Sequence, residues 1–184
     1  MDYYVDVVVR PDPEFSTSTL ISAIFSKLHL ALVRVGQGEI GVSFPKIKLT
    51  LGDCLRIHGS KLALGRLMDD SWLRGLQDYA QLRPIRSTPV VSQYCVVRRV
   101  HVKSSQERLL RRSVRKGWIS EEEAQERLLT TKNERSKLPY ILLRSSSTGE
   151  HYRMFIQQEL VLKTGATGSF NTFGLSESAT VPYF

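Results

Sequence analysis

Changes in the period of apolar and polar positions mark most of the elements along this chain. Tyr3 to Arg10 is rich in Tyr and Val, which predicts a strand, and Pro11 and Pro13 close it. From Ser16 to Ser18, three hydroxyl residues that can cap a helix, the period lengthens. Ile21, Phe25, Leu28 and Leu32 then make an apolar stripe at helical spacing, predicting a helix to about Val33. Gly36 to Gly38 end it, and IGVSFP (Ile40 to Pro45) reads as a second strand. A third strand is expected around Leu55 to His58. Ser60 opens a helical region through Leu76 with a break near Asp69 to Ser71, and Leu82 to Ile85 suits a fourth strand.

That order, βαββαβ over about 90 residues, is the ferredoxin-like pattern, which RNA-recognition modules also use. Fold does not assign function, so the order only directs attention to RNA. Ser87-Thr88-Pro89 is a plausible boundary. Beyond it come a strand from Tyr94 to Lys103, a basic helix, a short helix from Ser120 to about Leu129, and strands at Tyr140 to Arg144 and His151 to Glu159. The tail, with Gly165, Gly168 and Gly174, suits loops around short strands. The predicted class is α+β. A ferredoxin-like (RRM-like) domain spans residues 1–90, and a C-terminal α+β half with the arginine-rich helix spans residues 91–184.

Charge sharpens this picture. The net charge is +8 and the pI about 9.7. Between Arg98 and Lys116 the chain carries Arg98, Arg99, Lys103, Arg108, Arg111, Arg112, Arg115 and Lys116 against a single acid, Glu107. Arg108, Arg111, Arg112 and Arg115 fall at i, i+3, i+4 and i+7, so a helix stacks four guanidiniums on one face. They repel one another unless a polyanion faces them, and a nucleic-acid backbone is the usual one. The plainer reading is a solvated helix face, although such faces normally mix signs. No uninterrupted apolar run approaches the roughly 20 residues of a membrane span, and MDYYVDVVVR lacks the features of a signal peptide. Cys54 and Cys95 form no disulfide framework. A cytoplasmic protein without a membrane partner is expected.

Candidate chemistry is sparse. His29, His58, His101 and His151 show no zinc spacing, and the acidic run Glu121 to Glu123 reads as the first turn of a helix capped by Ser120, so neither a metal nor another cofactor is expected. His29 lies about 100° round the helix from Leu28, at the flank of the apolar stripe. A half-accessible imidazole there suits acid or base work, and the bland alternative is a boundary histidine bonded to backbone. Alternation puts Arg99, His101 and Lys103 on one strand face, a row leading into the basic helix; a charged sheet edge is the other reading. Ser145, Ser146, Ser147, Thr148 and Gly149 form a turn whose hydroxyls and N–H groups can hold a phosphate or ribose hydroxyl, though most serine-rich turns hold neither. Tyr152 can stack on a base or simply fill the core.

RPDPEF, the Leu28-His29 pair in the first helix, IGVSFP, ERLLRR, SEEEA, LRSSSTGEHYRMFI, FGLS and VPYF run almost end to end. Together they resemble the CRISPR repeat-RNA processing endoribonucleases of the type I-F (Csy) systems. The resemblance implies an enzyme that recognises the hairpin of a CRISPR repeat, cuts at the 3′ base of the stem and stays bound to the mature crRNA. It also implies metal-independent attack by a ribose 2′-OH, giving a 2′,3′-cyclic phosphate and a 5′-OH, and other type I-F complex subunits as partners.

By motif, His29 matches the family's catalytic histidine, Ser145 the serine that positions the 2′-OH, and Ser147 the second serine of that turn. Arg111, Arg112, Arg115 and Lys116 match the RNA-contacting stretch of a groove-inserted helix, on the face where Arg108 also lies. Arg99 matches a base-reading arginine at the foot of the stem, and Tyr152 a stacking aromatic. The pattern departs at three places. Phe173 stands where the best-known member has a tyrosine, leaving a packing role near the site. His101 replaces a base-reading glutamine, and Lys116 replaces an arginine and so loses the bidentate fork. A non-catalytic hairpin-binding subunit and a DNA-binding regulator are the alternative readings.

Overall fold

The computed structural model describes residues 1–91, 93–101, 106–130, 136–145, 148–161 and 165–184, without the side chains of 106–108 and 128–130. The chain is α+β and divides into two compact units: residues 1–100 with 138–184, and residues 101–137. The larger unit holds two antiparallel sheets. The first is built from β1 (Tyr3–Val9), β2 (Gly41–Ser43), β3 (Cys54–Gly59), β4 (Ala80–Leu82) and β5 (Arg86–Ser87); its order is β2-β3-β1-β4, with β5 also pairing β1. The second contains β6 (Tyr94–Val100), β7 (Tyr140–Arg144), β8 (His151–Val161) and β9 (Val181–Pro182) in the order β7-β8-β6-β9.

Helix α1 (Thr17–Val35) links the two sheets physically. Ser16 caps it, its Oγ accepting the Thr19 N–H at 3.2 Å. The stripe of Leu20, Ile21, Ile24, Phe25, Leu28, Ala31 and Leu32 is buried, and α1 packs against both β1 and β7. A single core therefore joins Val5, Val7 and Val9 of the first sheet to Ile141, Leu143, Met154 and Ile156 of the second. Ser22 Oγ accepts the Leu142 N–H at 3.1 Å and donates to the Ser18 carbonyl at 2.8 Å. By length and composition α1 is long and apolar enough to cross a bilayer, although no uninterrupted apolar run is, because its scattered Ser and Thr are only weakly polar. Its apolar stripe faces the protein core instead.

Two strands are displaced from their predicted bounds. IGVSFP contributes only Gly41–Ser43, because the backbone of Phe44 turns to the Gln158 side chain, donating N–H at 2.8 Å and accepting at 3.2 Å. The fourth strand comes earlier than Leu82 to Ile85: β4 ends at Leu82, the Arg83 N–H crosses to the Asp6 carbonyl at 2.8 Å, and Pro84 offers no donor. Helix α2 (Lys61–Asp69), capped by Ser60, stops where the break was expected, next to Ser71 at φ 51°.

Arg56 and His58 of β3 are buried polar residues on opposite terms. Arg56 forks onto Asp6 at 2.7 and 3.0 Å, donates to the Phe184 carbonyl at 2.7 Å, and lies over the rings of Tyr4 and Phe184 at 4.7 and 4.0 Å. His58 meets Ser43 Oγ through Nε2 at 2.8 Å, but its Nδ1 is buried without a partner. Burial first, and the Arg56 charge second, push its pKa down to about 3, so it stays neutral in the fold.

The smaller unit pairs helix α3 (Gln106–Arg115) with helix α4 (Glu121–Thr130). Leu110 and Ala124 are its buried apolar residues among those described. Helix α3 ends in a Schellman turn at Gly117 (φ 70°), with Trp118 N–H on the Ser113 carbonyl at 2.9 Å and Gly117 N–H on the Val114 carbonyl at 2.8 Å. Helix α4 opens with a capping box: Glu123 N–H donates to Ser120 Oγ at 3.1 Å, and the Glu123 carboxylate accepts the Ser120 N–H at 3.2 Å.

Candidate active site and nucleic-acid interface

His29 is half-buried on α1, four residues beyond Phe25 and on the same side of the helix. Its Nδ1 lies 2.8 Å from the backbone carbonyl of Thr172. A carbonyl can only accept, so Nδ1 carries the proton, and the neutral ring has its lone pair on Nε2. The Phe173 ring stacks on the imidazole with centroids 3.8 Å apart and planes 7° apart. Phe173 is also parallel to Phe25, at 6.1 Å and 8°, and Phe25 in turn packs on Phe44. The imidazole thus ends an aromatic column rooted in the core, with one nitrogen committed and the other able to accept a proton.

The segment beneath it is a tight turn. Asn171 Oδ1 accepts the N–H groups of Phe173 at 2.8 Å and Leu175 at 3.2 Å. Gly174, at φ 71°, gives its carbonyl to the Val42 N–H at 3.0 Å, and an added Cβ there would sit 2.8 Å from Val42 Cγ1. Position 174 therefore requires glycine for both its backbone and its space.

Ser145 follows β7, the strand that α1 packs against. Its Oγ accepts the Thr148 N–H at 3.2 Å, its N–H donates to Glu150, and its carbonyl accepts from Gly149. Arg144 Nε bonds the Gly149 carbonyl at 3.1 Å and braces the same turn. Ser147 lies outside the described residues.

The register β6 makes with β8, Arg99 opposite Ile156, puts Arg99 on the sheet face of Cys95, Val97 and Ile156, all buried. There it lies 5.9 Å from the centroid of the Tyr152 ring. Arg98, on the other face, is tied to Glu159 at 2.8 Å. The strand stops at Val100. His101 is exposed in the smaller unit, and Lys103 lies outside the described residues. On α3, Arg111, Arg112 and Arg115 are exposed and Arg108 is described by its backbone alone; just beyond the helix, Lys116 lies 4.5 Å over the Trp118 ring. Among the described residues no three His, Cys, Asp or Glu side chains gather as metal ligands. The thiols of Cys54 and Cys95 are pushed up by burial to about 11 and about 12, which leaves neither a thiolate near neutral pH.

The Thr172 carbonyl escapes any sequence reading, because a backbone oxygen has no side-chain signature and its partner lies 143 positions away. The FGLS motif, just beyond it, is the nearest signal.

These features define a basic α+β protein with one accessible, backbone-oriented histidine and, on a separate unit, an exposed arginine face. The chain belongs to the CRISPR-associated protein family Cas_Csy4, whose model matches residues 4–184. It is 46% identical over 184 residues to the CRISPR-associated endonuclease Cas6/Csy4 of Escherichia coli (strain UTI89 / UPEC), covering all of both chains. It is 44% identical over 187 residues to the CRISPR-associated endonuclease Cas6/Csy4 of Pseudomonas aeruginosa (strain UCBPP-PA14), again over the full length of both.

Proposed function

We propose that this protein is the endoribonuclease that processes precursor CRISPR RNA in a type I-F system. Family membership and the endonuclease names of its relatives support the activity. The observation that carries the mechanism is the Nδ1 bond of His29 to the Thr172 carbonyl, which leaves the ring's lone pair on Nε2. His29 Nε2 takes the proton of the ribose 2′-OH before the scissile phosphate, and Ser145, helped by Ser147, positions that hydroxyl. The 2′-oxygen attacks phosphorus, the P–O5′ bond breaks, and the 5′-oxygen leaves as a hydroxyl once protonated. The products are a 2′,3′-cyclic phosphate and a 5′-OH, with no metal in the reaction.

Recognition falls to the repeat hairpin. Arg99 reads a guanine edge at the foot of the stem, with Tyr152 stacking beside it and His101 and Lys103 extending the contact. Arg108, Arg111, Arg112, Arg115 and Lys116 grip the stem phosphates. In this reading residues 1–90 form a ferredoxin-like catalytic domain, supported by the antiparallel order β2-β3-β1-β4, and residues 91–184 form the recognition half. The protein works in the cytoplasm, holds the mature crRNA, and joins the other complex subunits.

Cleavage of a cognate repeat hairpin in excess EDTA, beside the same RNA with one 2′-deoxy at the scissile nucleotide, tests the proposal. Cutting of the all-ribose RNA alone is expected. Tight binding of both RNAs without cutting would make the protein a hairpin-holding subunit.

A further inference from the structure

We infer that Asn171 is a positioning residue for the cleavage reaction: it builds the turn that presents the Thr172 carbonyl to His29 Nδ1 and lays Phe173 against the imidazole. The inference rests on the reading of His29 Nε2 as the base.

Asn171 is exposed, so packing does not explain it. What it supplies is hydrogen bonding within five residues. Its Oδ1 accepts from Phe173 N–H at 2.8 Å and Leu175 N–H at 3.2 Å. Its carbonyl accepts from Gly174 N–H at 2.8 Å, and its own N–H donates to the Leu175 carbonyl at 2.9 Å. The short Asx side chain has the reach to accept from its own backbone two residues on, which alanine lacks and glutamine overshoots. Two carbonyls of the turn point away from this network. That of Gly174 is fixed to Val42 N–H at 3.0 Å on β2, and that of Thr172 meets His29 at 2.8 Å. Thr172 and Phe173 sit between these anchors, so the bonds to Asn171 Oδ1 set both the direction of the carbonyl and the plane of the ring.

The chemical consequence is a choice of tautomer. A histidine side chain without a partner at Nδ1 favours the Nε2–H form, and in that form Nε2 is a donor that cannot take the 2′-OH proton. Holding the Thr172 carbonyl in place keeps the proton on Nδ1. Asn171 thus acts through Thr172 and Phe173 without touching substrate.

The test compares Asn171→Ala, Asn171→Gln and Asn171→Asp with His29→Ala and the unaltered protein. Three quantities are read: single-turnover cleavage at saturating protein, affinity for the 2′-deoxy hairpin, and the ring ¹⁵N shifts of His29 in the RNA-free protein. Asn171→Ala and Asn171→Gln should cut about 10- to 100-fold more slowly, as loss of a histidine's orienting partner typically does. Affinity should not change, and the His29 proton should move from Nδ1 to Nε2. Asn171→Asp keeps the acceptor and should retain both rate and tautomer. A normal rate in Asn171→Ala, a slow rate with the proton still on Nδ1, or equal loss in Asn171→Asp would each overturn the inference. Should Asn171→Ala fail to fold, the Gln and Asp pair decides, and equal rates within it sink the idea. Full cleavage by His29→Ala would reject the base itself, whereas the ¹⁵N shifts would still report on Asn171.

Discussion

The surroundings of His29 and of the α3 arginines contrast at every level. His29 is held by a carbonyl at 2.8 Å and a stacked ring at 3.8 Å, at the flank of a helix stripe buried in a core shared by two sheets. Arg112 and Arg115 stand exposed on a ten-residue helix in a unit whose buried apolar residues, among those described, are Leu110 and Ala124. The difference suits the roles proposed for each. Proton transfer depends on a fixed atom within hydrogen-bond reach, so position is everything. Attraction to phosphate acts over about 10 Å at 0.1 M salt, so charge count outweighs exact placement. One region is built by packing and the other by sequence composition.

The sharpest way to separate them is His29→Ala. Single-turnover cleavage should fall by about 100- to 10,000-fold, the usual worth of an acid–base group, with hairpin affinity unchanged in a filter-binding titration. A parallel loss of binding would merge the two regions into one. The double change Arg112→Ala with Arg115→Ala should do the reverse. Affinity should fall by about 2 to 4 kcal/mol, and the slope of log K against log salt should flatten by about 0.7 to 0.9 for each phosphate no longer neutralised. Cutting at saturating protein should persist. An unchanged salt slope would return the arginines to the status of a solvated face.

The smallest effect expected is acid sensitivity, and it too divides the regions. His58 is neutral and buried, with its pKa lowered to about 3, so between about pH 6.5 and 3 the unfolded chain binds a proton that the folded chain refuses. Its contribution is whole above pH 6.5 and is lost as pH falls through that window, by about 1.4 kcal/mol per pH unit at most. Urea melts at pH 7 and pH 5 check this, and His58→Gln should lessen the difference. Helix α3 carries no histidine, so the hairpin contacts proposed for it should depend less on pH.

Much of this was legible in the sequence because local signals did the specifying. The stripe from Ile21 to Leu32, the Ser16 and Ser60 caps, the Ser120–Glu123 box and the arginine spacing each depend on residues within a few positions. What escaped depends on residues distant in the chain. IGVSFP shortened because the Gln158 side chain, 114 positions away, takes both backbone groups of Phe44. Arg99 faces the sheet's core side with Tyr152, a placement that alternation could group but not orient until β8 fixed the register. The orienting partner of His29 proved to be a main-chain oxygen, so the missing hydroxyl at Phe173 weighs less than its side chain alone suggests.

The return of the tail also sets an order in time. Every strand of the first sheet and the whole of α1 precede residue 88 in the chain, whereas Thr172, Phe173 and the β9 strand come after residue 170. Domains generally fold as units, and residues 1–100 and 138–184 form one unit, so the bond between His29 and the Thr172 carbonyl cannot form until the second stretch has been made. A nascent chain that stops short of Thr172 holds the histidine without its carbonyl partner. That contact belongs with the other late ones of the tail, in which Val181 pairs with Cys95 and the Phe184 ring lies on Arg56.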